Sequence, residues 1–170
     1  MAHAQSITTA SIAVLTVSDT RTLDTDTSGD IAVSLLETEG HSISLREIVA
    51  DDKEDISSKV TSFAIDQSID VILITGGTGP STRDCTPDAI LPMLDSTLPG
   101  FGELFRQLCY IEIGSAAMLS RAEAGWIMKE KRRTPIFLLP GSPKAVSLAL
   151  EKLILPQLGH LLDLCRSEDR

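Results

Sequence analysis

The sequence predicts a three-layer α/β/α sandwich built around a mostly parallel sheet. Three observations lead there. Short apolar runs rich in β-branched residues alternate with helical patterns along the chain. Two of those runs, residues 71–74 and 134–139, end in a tight turn that opens onto a helix start. The chain has 170 residues, 42% of them hydrophobic but only 4% aromatic, which suits one domain with an aliphatic core. That domain is expected over residues 11–165, between flexible termini at 1–10 and 166–170.

Residues 11–18 are mostly apolar and predict a first strand buried on both faces. Asp19, Thr20 and Arg21 follow, then a polar segment, 22–28, that reads as a long loop over the strand's carboxyl end. Its neighbourhood holds Asp19, Asp24 and Asp26, which fit caps and turn formers better than metal ligands. Residues 29–39 place Ile31, Val33, Leu35 and Leu36 in a helical frame, with Gly40 positioned to end it. Residues 42–49 alternate and predict a strand nearer a sheet edge. Asp52 can cap the next helix, whose apolar face is Ile56, Val60, Phe63 and Ala64. Asp51 is either a second cap or a site residue, and spacing alone favours the cap.

The second half continues the alternation. Thr86-Pro87 has the form of N-cap then N1, which predicts a helix from Pro87 to about Leu94. Residues 98–103 read as a turn leading into a helix through Leu104, Phe105, Leu108 and Ile111. Residues 114–120 fit no single element, and 121–128 fit a strand. The charge run 129–133 fits a solvated hairpin turn before the strand at 134–139. Ser142 and Pro143 repeat the N-cap and N1 arrangement before a helix through Val146, Leu148, Leu150 and Leu153. A separate amphipathic stretch, 156–165, is expected to pack over the core.

Composition narrows the function classes. The net charge of −9, from 15 basic and 24 acidic residues, argues against a nucleic-acid footprint. It leaves room for an anionic small molecule, which needs only a few N–H groups and one or two cations. Cys85, Cys109 and Cys165 are odd in number, far apart and without metal-ligand spacing, which fits a reducing cytosol. Cys85 has no histidine near it in sequence and reads as a small hydrophobe rather than a nucleophile. Residues 1–10 lack the basic start and apolar stretch of a signal peptide. No apolar run approaches the roughly 20 residues that span a bilayer. A cytoplasmic protein away from the membrane is therefore expected.

The chemistry concentrates in Thr75-Gly76-Gly77-Thr78-Gly79 and the residues after it. Three glycines within four positions let successive N–H groups turn inward as an anion nest. No Gly-Lys-Ser/Thr follows, so this is not a Walker A loop. Thr82 stands where the third glycine of a dinucleotide fingerprint belongs. What remains is a phosphate nest flanked by the hydroxyls of Thr75, Thr78, Ser81 and Thr82 and by Arg83. Asp88 suits the first turn of the following helix, which leaves Asp84 beside the anion site. A carboxylate next to bound phosphate is costly unless a cation lies between them, and Mg²⁺ is the usual solution. The turn Gly141-Ser142-Pro143 is a second candidate anion site.

Thr75-Gly76-Gly77-Thr78-Gly79 followed by Arg83-Asp84-x-Thr86-Pro87-Asp88-Ala89 resembles the signature of the MoaB/MogA family, which includes the G domain of gephyrin. Three further segments agree in order and spacing. They are Pro99-Gly100-Phe101-Gly102-Glu103, Leu119-Ser120-Arg121-Ala122-x-Ala124-Gly125 and Leu139-Pro140-Gly141-Ser142-Pro143-Lys144-Ala145. Val17-Ser18-Asp19 and the loop 24–29 look closest to the MoaB branch. The resemblance implies a molybdopterin-binding fold acting in molybdenum cofactor biosynthesis as a homotrimer or hexamer. Active members transfer AMP from Mg-ATP to the terminal phosphate of molybdopterin and release pyrophosphate.

The family's two catalytic acids match Asp51 and Asp84, and its ligand-contacting hydroxyls match Thr78 and Ser120. By the same resemblance the Gly76 to Gly79 backbone holds phosphate. Asp84 would hold Mg²⁺, Arg83 and Asp51 would meet the nucleotide, and Gly141, Ser142 and Pro143 would border the pocket. Some MoaB proteins lack the Arg-Asp pair that this chain keeps at Arg83-Asp84, which favours activity. Ala50 replaces a proline common in relatives, so Asp52 competes with Asp51 for the first acid. Cys85 stands where valine is common. A non-catalytic molybdopterin carrier is the alternative, and a purely structural oligomer is a third reading.

Overall fold

In a computed structural model, which describes residues 9–166, successive residues of the first strand feed two different cores. Strand β1 (Ser11–Val17) sends Ile12 and Val14 to one face and Ala13, Leu15 and Val17 to the other. The side-chain period of two in a strand forces this division, and both faces are apolar because both are covered.

The order of elements is β1, α1 (Thr27–Thr38), β2 (Ser42–Val49), α2 (Lys53–Ile65), β3 (Val71–Thr75) and α3 (Thr86–Ile90). Then come β4 (Ser96–Thr97), α4 (Pro99–Ile113), β5 (Glu123–Lys129), β6 (Arg132–Leu139), α5 (Pro143–Ala149) and α6 (Leu155–Arg166). The six strands form one sheet in the order β2-β1-β3-β6-β5-β4. The pairs β2-β1, β1-β3 and β3-β6 are parallel, and β5 and β4 add an antiparallel edge. Helices α1, α4, α5 and α6 cover one face, through Leu36, Phe105, Val146 and Leu158 among others. Helices α2 and α3 cover the other, through Ile56, Val60, Phe63 and Ile90. This is the expected three-layer sandwich.

Several expected boundaries move for local reasons. The loop 22–28 instead contains a 3-10 turn at Leu23–Thr25, and α1 starts at Thr27 because Asp26 is its N-cap, accepting from Gly29 N–H at 3.0 Å. Helix α3 begins at Thr86, one residue early, and the Thr86 hydroxyl donates to Gly76 O at 2.9 Å instead of capping. The residues expected as a turn before α4 are its first turn, entered through Pro99. Of the apolar residues expected along it, Phe105 is buried but Leu104 and Ile111 are exposed, and Phe101 and Cys109 complete the buried face. Residues 114–119 form a 3-10 segment. Of the charge run only Glu130 and Lys131, both at positive φ, form the hairpin turn, while Lys129 belongs to β5 and Arg132 and Arg133 to β6.

The break expected before Pro156 is absent. Helices α5 and α6 join through a π-helical segment, Leu150–Ile154. A proline ring clashes with the carbonyl four residues back, and a wider turn just before Pro156 relieves that clash. The run Pro143–Arg166 is the one helix among the described residues long and apolar enough, by length and composition, to cross a membrane. Its inner face, from Val146 to Leu162, belongs to the core. Ala10, expected in a flexible terminus, is fully buried, and its carbonyl accepts from Ser42 N–H at 2.9 Å. Arg166 pairs with Asp70 at 3.0 Å. The remainder of both expected flexible termini, 1–8 and 167–170, lies outside the described residues.

Candidate functional site

The chain goes from β1 to β2 on one side and later to β3 on the other, so the strand order switches direction between the parallel neighbours β1 and β3. Open α/β sheets leave a crevice at such a point, outside the carboxyl ends of the strands. The ends that meet here carry Ser18-Asp19 after β1, Asp51 after β2, Gly76 to Gly79 after β3 and Gly141 after β6.

The glycine turn is built by exclusion. Gly76 has φ of +95°, and a Cβ there would overlap the carbonyl of Val17. Gly77 has φ of +64°, and a Cβ there would overlap the Thr86 hydroxyl and stand 2.9 Å from Asp51 Oδ1. At Gly79 a Cβ would stand 2.7 Å from Asp84 Oδ2. Each predicted catalytic acid therefore leans into the space left by a missing side chain. Gly76 N–H is committed to Leu139 O at 2.9 Å. The N–H groups of Gly77, Thr78 and Gly79 have no partner among the described residues, so the nest is one residue shorter than expected.

Asp51 and Asp52 separate cleanly. Asp52 is the N-cap of α2, accepting from the N–H groups of Glu54 and Asp55 at 2.9 and 3.1 Å. Asp51 is not the second cap that spacing favoured. Its Oδ1 is buried with no hydrogen-bond partner. Burial and the nearby carboxylates of Asp19 and Asp84 push the Asp51 carboxyl above the usual range, and Arg83 only partly offsets them. Asp19 is held below the usual range because it accepts from Asp51 N–H at 3.0 Å and pairs with Arg83. Arg83 lies largely in solvent, but its head group sits on Asp19. Asp84 accepts from Ser81 N–H at 3.1 Å, so it also closes its own turn. The Cys85 thiol is pushed up by burial and by Asp51, which keeps it protonated and unreactive.

On the opposite side of Gly76 lies a small polar crevice of about 120 Å³. Ser18, Arg21, Thr27, Ser28, Gly76, Gly141 and Pro143 are among its lining residues. The Ser28 hydroxyl donates to Gly141 O at 2.6 Å, and Gly141 approaches the Gly76 backbone. Ser142 caps α5 only through its backbone and does not line the crevice.

Thr75 lines this crevice, but its hydroxyl is engaged within the protein. It is fully buried and donates to Thr16 Oγ1 at 3.3 Å, which donates to Asp26 Oδ2 at 2.7 Å. Asp26 is 2% exposed and is neutralised by Arg46 at 3.2 Å. That chain of contacts ties β1, α1, β2 and β3 together under the crevice. Thr78 is buried, and its carbonyl accepts from Arg121 N–H at 2.9 Å, which brings Ser120 beside the loop. Sequence reading sets Asp19 aside as a cap or turn former and gives Arg121 no role of its own. Both stand inside motifs that carry the family resemblance, Val17-Ser18-Asp19 and Leu119-Ser120-Arg121.

Comparison with known proteins decides the family. A profile described as a probable molybdopterin binding domain matches residues 13–160. Molybdenum cofactor biosynthesis protein B of Bacillus subtilis is 49% identical over 150 residues, 88% of this chain and 86% of that protein. This chain belongs to the MoaB/MogA family. The protein of the same name from Staphylococcus aureus strain MRSA252 is 46% identical over 157 residues, 91% of this chain and 90% of its own. Among solved structures, a molybdenum cofactor biosynthesis protein B aligns with a TM-score of 0.86 at 45% identity, covering 93% of this chain and 96% of that one. The tungsten cofactor synthesizing protein MoaB of Pyrococcus furiosus aligns with a TM-score of 0.84 at 37% identity, covering 94% and 98%. The family assigns the chain a role in molybdenum cofactor biosynthesis and a molybdopterin-binding domain.

Proposed function

We propose that this protein transfers AMP from Mg-ATP to the terminal phosphate of molybdopterin. The observation that carries the reading is Asp51 Oδ1, buried and unpartnered beside Gly77, across the glycine turn from Asp84. An orphaned carboxylate oxygen whose ionisation is opposed by two other acids fits a hard divalent cation. Asp51 and Asp84 would hold Mg²⁺, with Asp19 near enough to share the charge. Among the described residues no ready-made cage of His, Cys, Asp or Glu exists. Mg²⁺ commonly takes only one or two carboxylates and completes its shell with water and substrate phosphates. When bound, it neutralises the phosphate charge that would otherwise repel the attacking anion.

The remaining work falls to the chain itself. The molybdopterin phosphate is already a nucleophile at neutral pH, so no general base is required. One of its oxygens bonds to the α-phosphorus while the bond from that phosphorus to the β-bridging oxygen breaks, and pyrophosphate leaves with the electron pair. The crevice between Gly76 and Gly141 suits the molybdopterin side, and the acids at Gly77 to Asp84 suit the nucleotide side. The free N–H groups of Gly77, Thr78 and Gly79 can donate to phosphate oxygens, with Thr78 and Ser120 at the same edge. Arg83, released from Asp19, can meet the nucleotide. Ser142 fits this site only through its backbone. Alignment of two repelling anions is the main contribution asked of the protein.

A homo-oligomer, trimer or hexamer, belongs to the same reading. Leu104 and Ile111 share an exposed side of α4, and Ile113, Met118 and Leu119 are further exposed apolar side chains at its end and just after it. Cytoplasmic residence is likewise part of the proposal. The deciding experiment incubates the purified protein with molybdopterin and Mg-ATP and measures adenylylated molybdopterin. Asp84→Ala should abolish the product while still binding molybdopterin. Tight molybdopterin binding with no AMP transfer by the wild-type protein would leave the carrier reading in its place.

A further inference from the structure

Arg121 makes four contacts with the glycine turn and its surroundings, and none is with the Asp84 carboxylate. Its backbone N–H donates to Thr78 O at 2.9 Å and its Nε to Gly79 O at 2.9 Å. Its Nη2 donates to the main-chain carbonyl of Asp84, and its Nη1 pairs with Asp88 Oδ2 at 3.0 Å. The segment carrying it is fixed from behind by Arg106, whose Nη1 donates to Ser120 O and Ala122 O.

We infer that Arg121 is a positioning residue that sets the register between Ser120, Thr78 and Asp84. The guanidinium stands behind the turn and gathers the carbonyls of Gly79 and Asp84. The Asp84 carboxylate stays out of this clamp, accepting from Ser81 N–H at 3.1 Å and lying near enough to Asp51 to raise its pKa. The fork geometry is essential, because three N–H groups must point at three separate acceptors at once. A lysine ammonium in the same place could satisfy one acceptor well and the others poorly. Asp88, which suited only a helix-dipole role from sequence, acts as the outer anchor of this clamp. The inference rests on the adenylyl-transfer reading for its catalytic consequence, but the clamp itself does not.

The test uses the full chain with Arg121→Ala and Arg121→Lys. Amide hydrogen exchange at residues 78–85 should rise about tenfold or more in Arg121→Ala while β1 and β3 stay protected. AMP transfer should fall about 10²-fold through kcat, with KM for molybdopterin little changed. The Mg²⁺ concentration for half-maximal transfer should rise, because Asp84 no longer has a fixed height. Arg121→Lys should recover only a small part, and it carries the same measurements if the alanine variant fails to fold. Unchanged exchange at 78–85, or a wild-type Mg²⁺ dependence, would overturn the inference. A wild-type protein that makes no adenylylated product would sink the catalytic reading alone, and the exchange measurement would still decide the clamp.

Discussion

Asp51 Oδ1 lies 2.9 Å from the place a Cβ on Gly77 would occupy. The glycine is thus part of the acid's binding geometry as well as of the turn. Gly77→Ala must also adopt a φ of +64° and displace the Thr86 hydroxyl. We expect it to cost about 1–3 kcal/mol in urea unfolding and to abolish AMP transfer. Gly100→Ala is the control. No heavy atom lies within 4 Å of its would-be Cβ, and it sits in the first turn of α4. That variant should keep full activity and match or exceed wild-type stability, by up to about 1 kcal/mol. Equal stability in the two variants would contradict the crowded turn.

Asp51→Asn should separate stability from function. Burial and two neighbouring carboxylates raise the Asp51 pKa in the folded chain. The folded state therefore keeps that proton to higher pH than the unfolded state. Ionisation costs stability, in full, once the pH has risen through the folded pKa, and costs nothing below the unfolded value. The asparagine variant should melt higher than wild type at pH 7, with the difference closing as the pH falls toward about 4. Its AMP transfer should fall by about 10²–10³-fold. Acidifying the wild-type protein through the raised pKa should weaken Mg²⁺ binding, measurable by calorimetry. A lower melting point for the variant at pH 7 would show that the Asp51 charge stabilises the fold.

Arg46→Ala tests the buried network beneath the crevice. Asp26 is 2% exposed, and Arg46 is its cationic partner at 3.2 Å. Removing the guanidinium leaves the carboxylate with the Thr16 hydroxyl and the Gly29 N–H as its remaining donors. We expect a loss of about 2–4 kcal/mol, read as a lower urea midpoint at unchanged slope. Asp26→Asn placed on the Arg46→Ala background should restore part of it, because the unpaired charge disappears. No recovery would mean that packing of the Arg46 stem carries the cost.

The orientation of α4 gives a paired prediction. Phe105 is fully buried and stacked near Phe101, with ring centroids 6.0 Å apart. Phe105→Ala should cost about 3–5 kcal/mol. Ile111 is 78% exposed, and Ile111→Asp should change monomer stability by no more than about 0.5 kcal/mol. If the exposed face joins copies of the chain, the same substitution should shift sedimentation toward smaller species. An oligomer indifferent to Ile111→Asp would place its interface elsewhere.

Local patterns carried most of the fold. Strands β1, β3 and β6 were legible because a fully buried strand must be apolar throughout. Helix α2 was legible because its face and its Asp52 cap are both local. The glycine turn was recognisable because only glycine tolerates that backbone, and its motif with Arg83-Asp84 pointed to the family. In α4 Phe105 meets the core but Leu104 and Ile111 do not, because apolar residues occur on both faces and periodicity cannot say which one is covered. The continuous helix through Pro156 was missed because a π turn relieves the proline clash without ending the helix.

The tertiary structure decided what surrounds each candidate residue. Sequence favours Asp51 by resemblance and leaves Asp52 as its rival, since both follow β2. The choice depends on Gly77, which is 26 residues away and meets Asp51 only because β1 brings β2 and β3 to the same end of the sheet. The Thr75 hydroxyl is tied to Thr16 and through it to Asp26, and Arg121, legible from sequence only as part of a family motif, holds the turn through its fork. A chain by itself fixes which residues can turn, cap or hide from water, because those preferences act over a few neighbours. Which charge stands beside which vacancy is set by strand order, and that is a property of the folded whole.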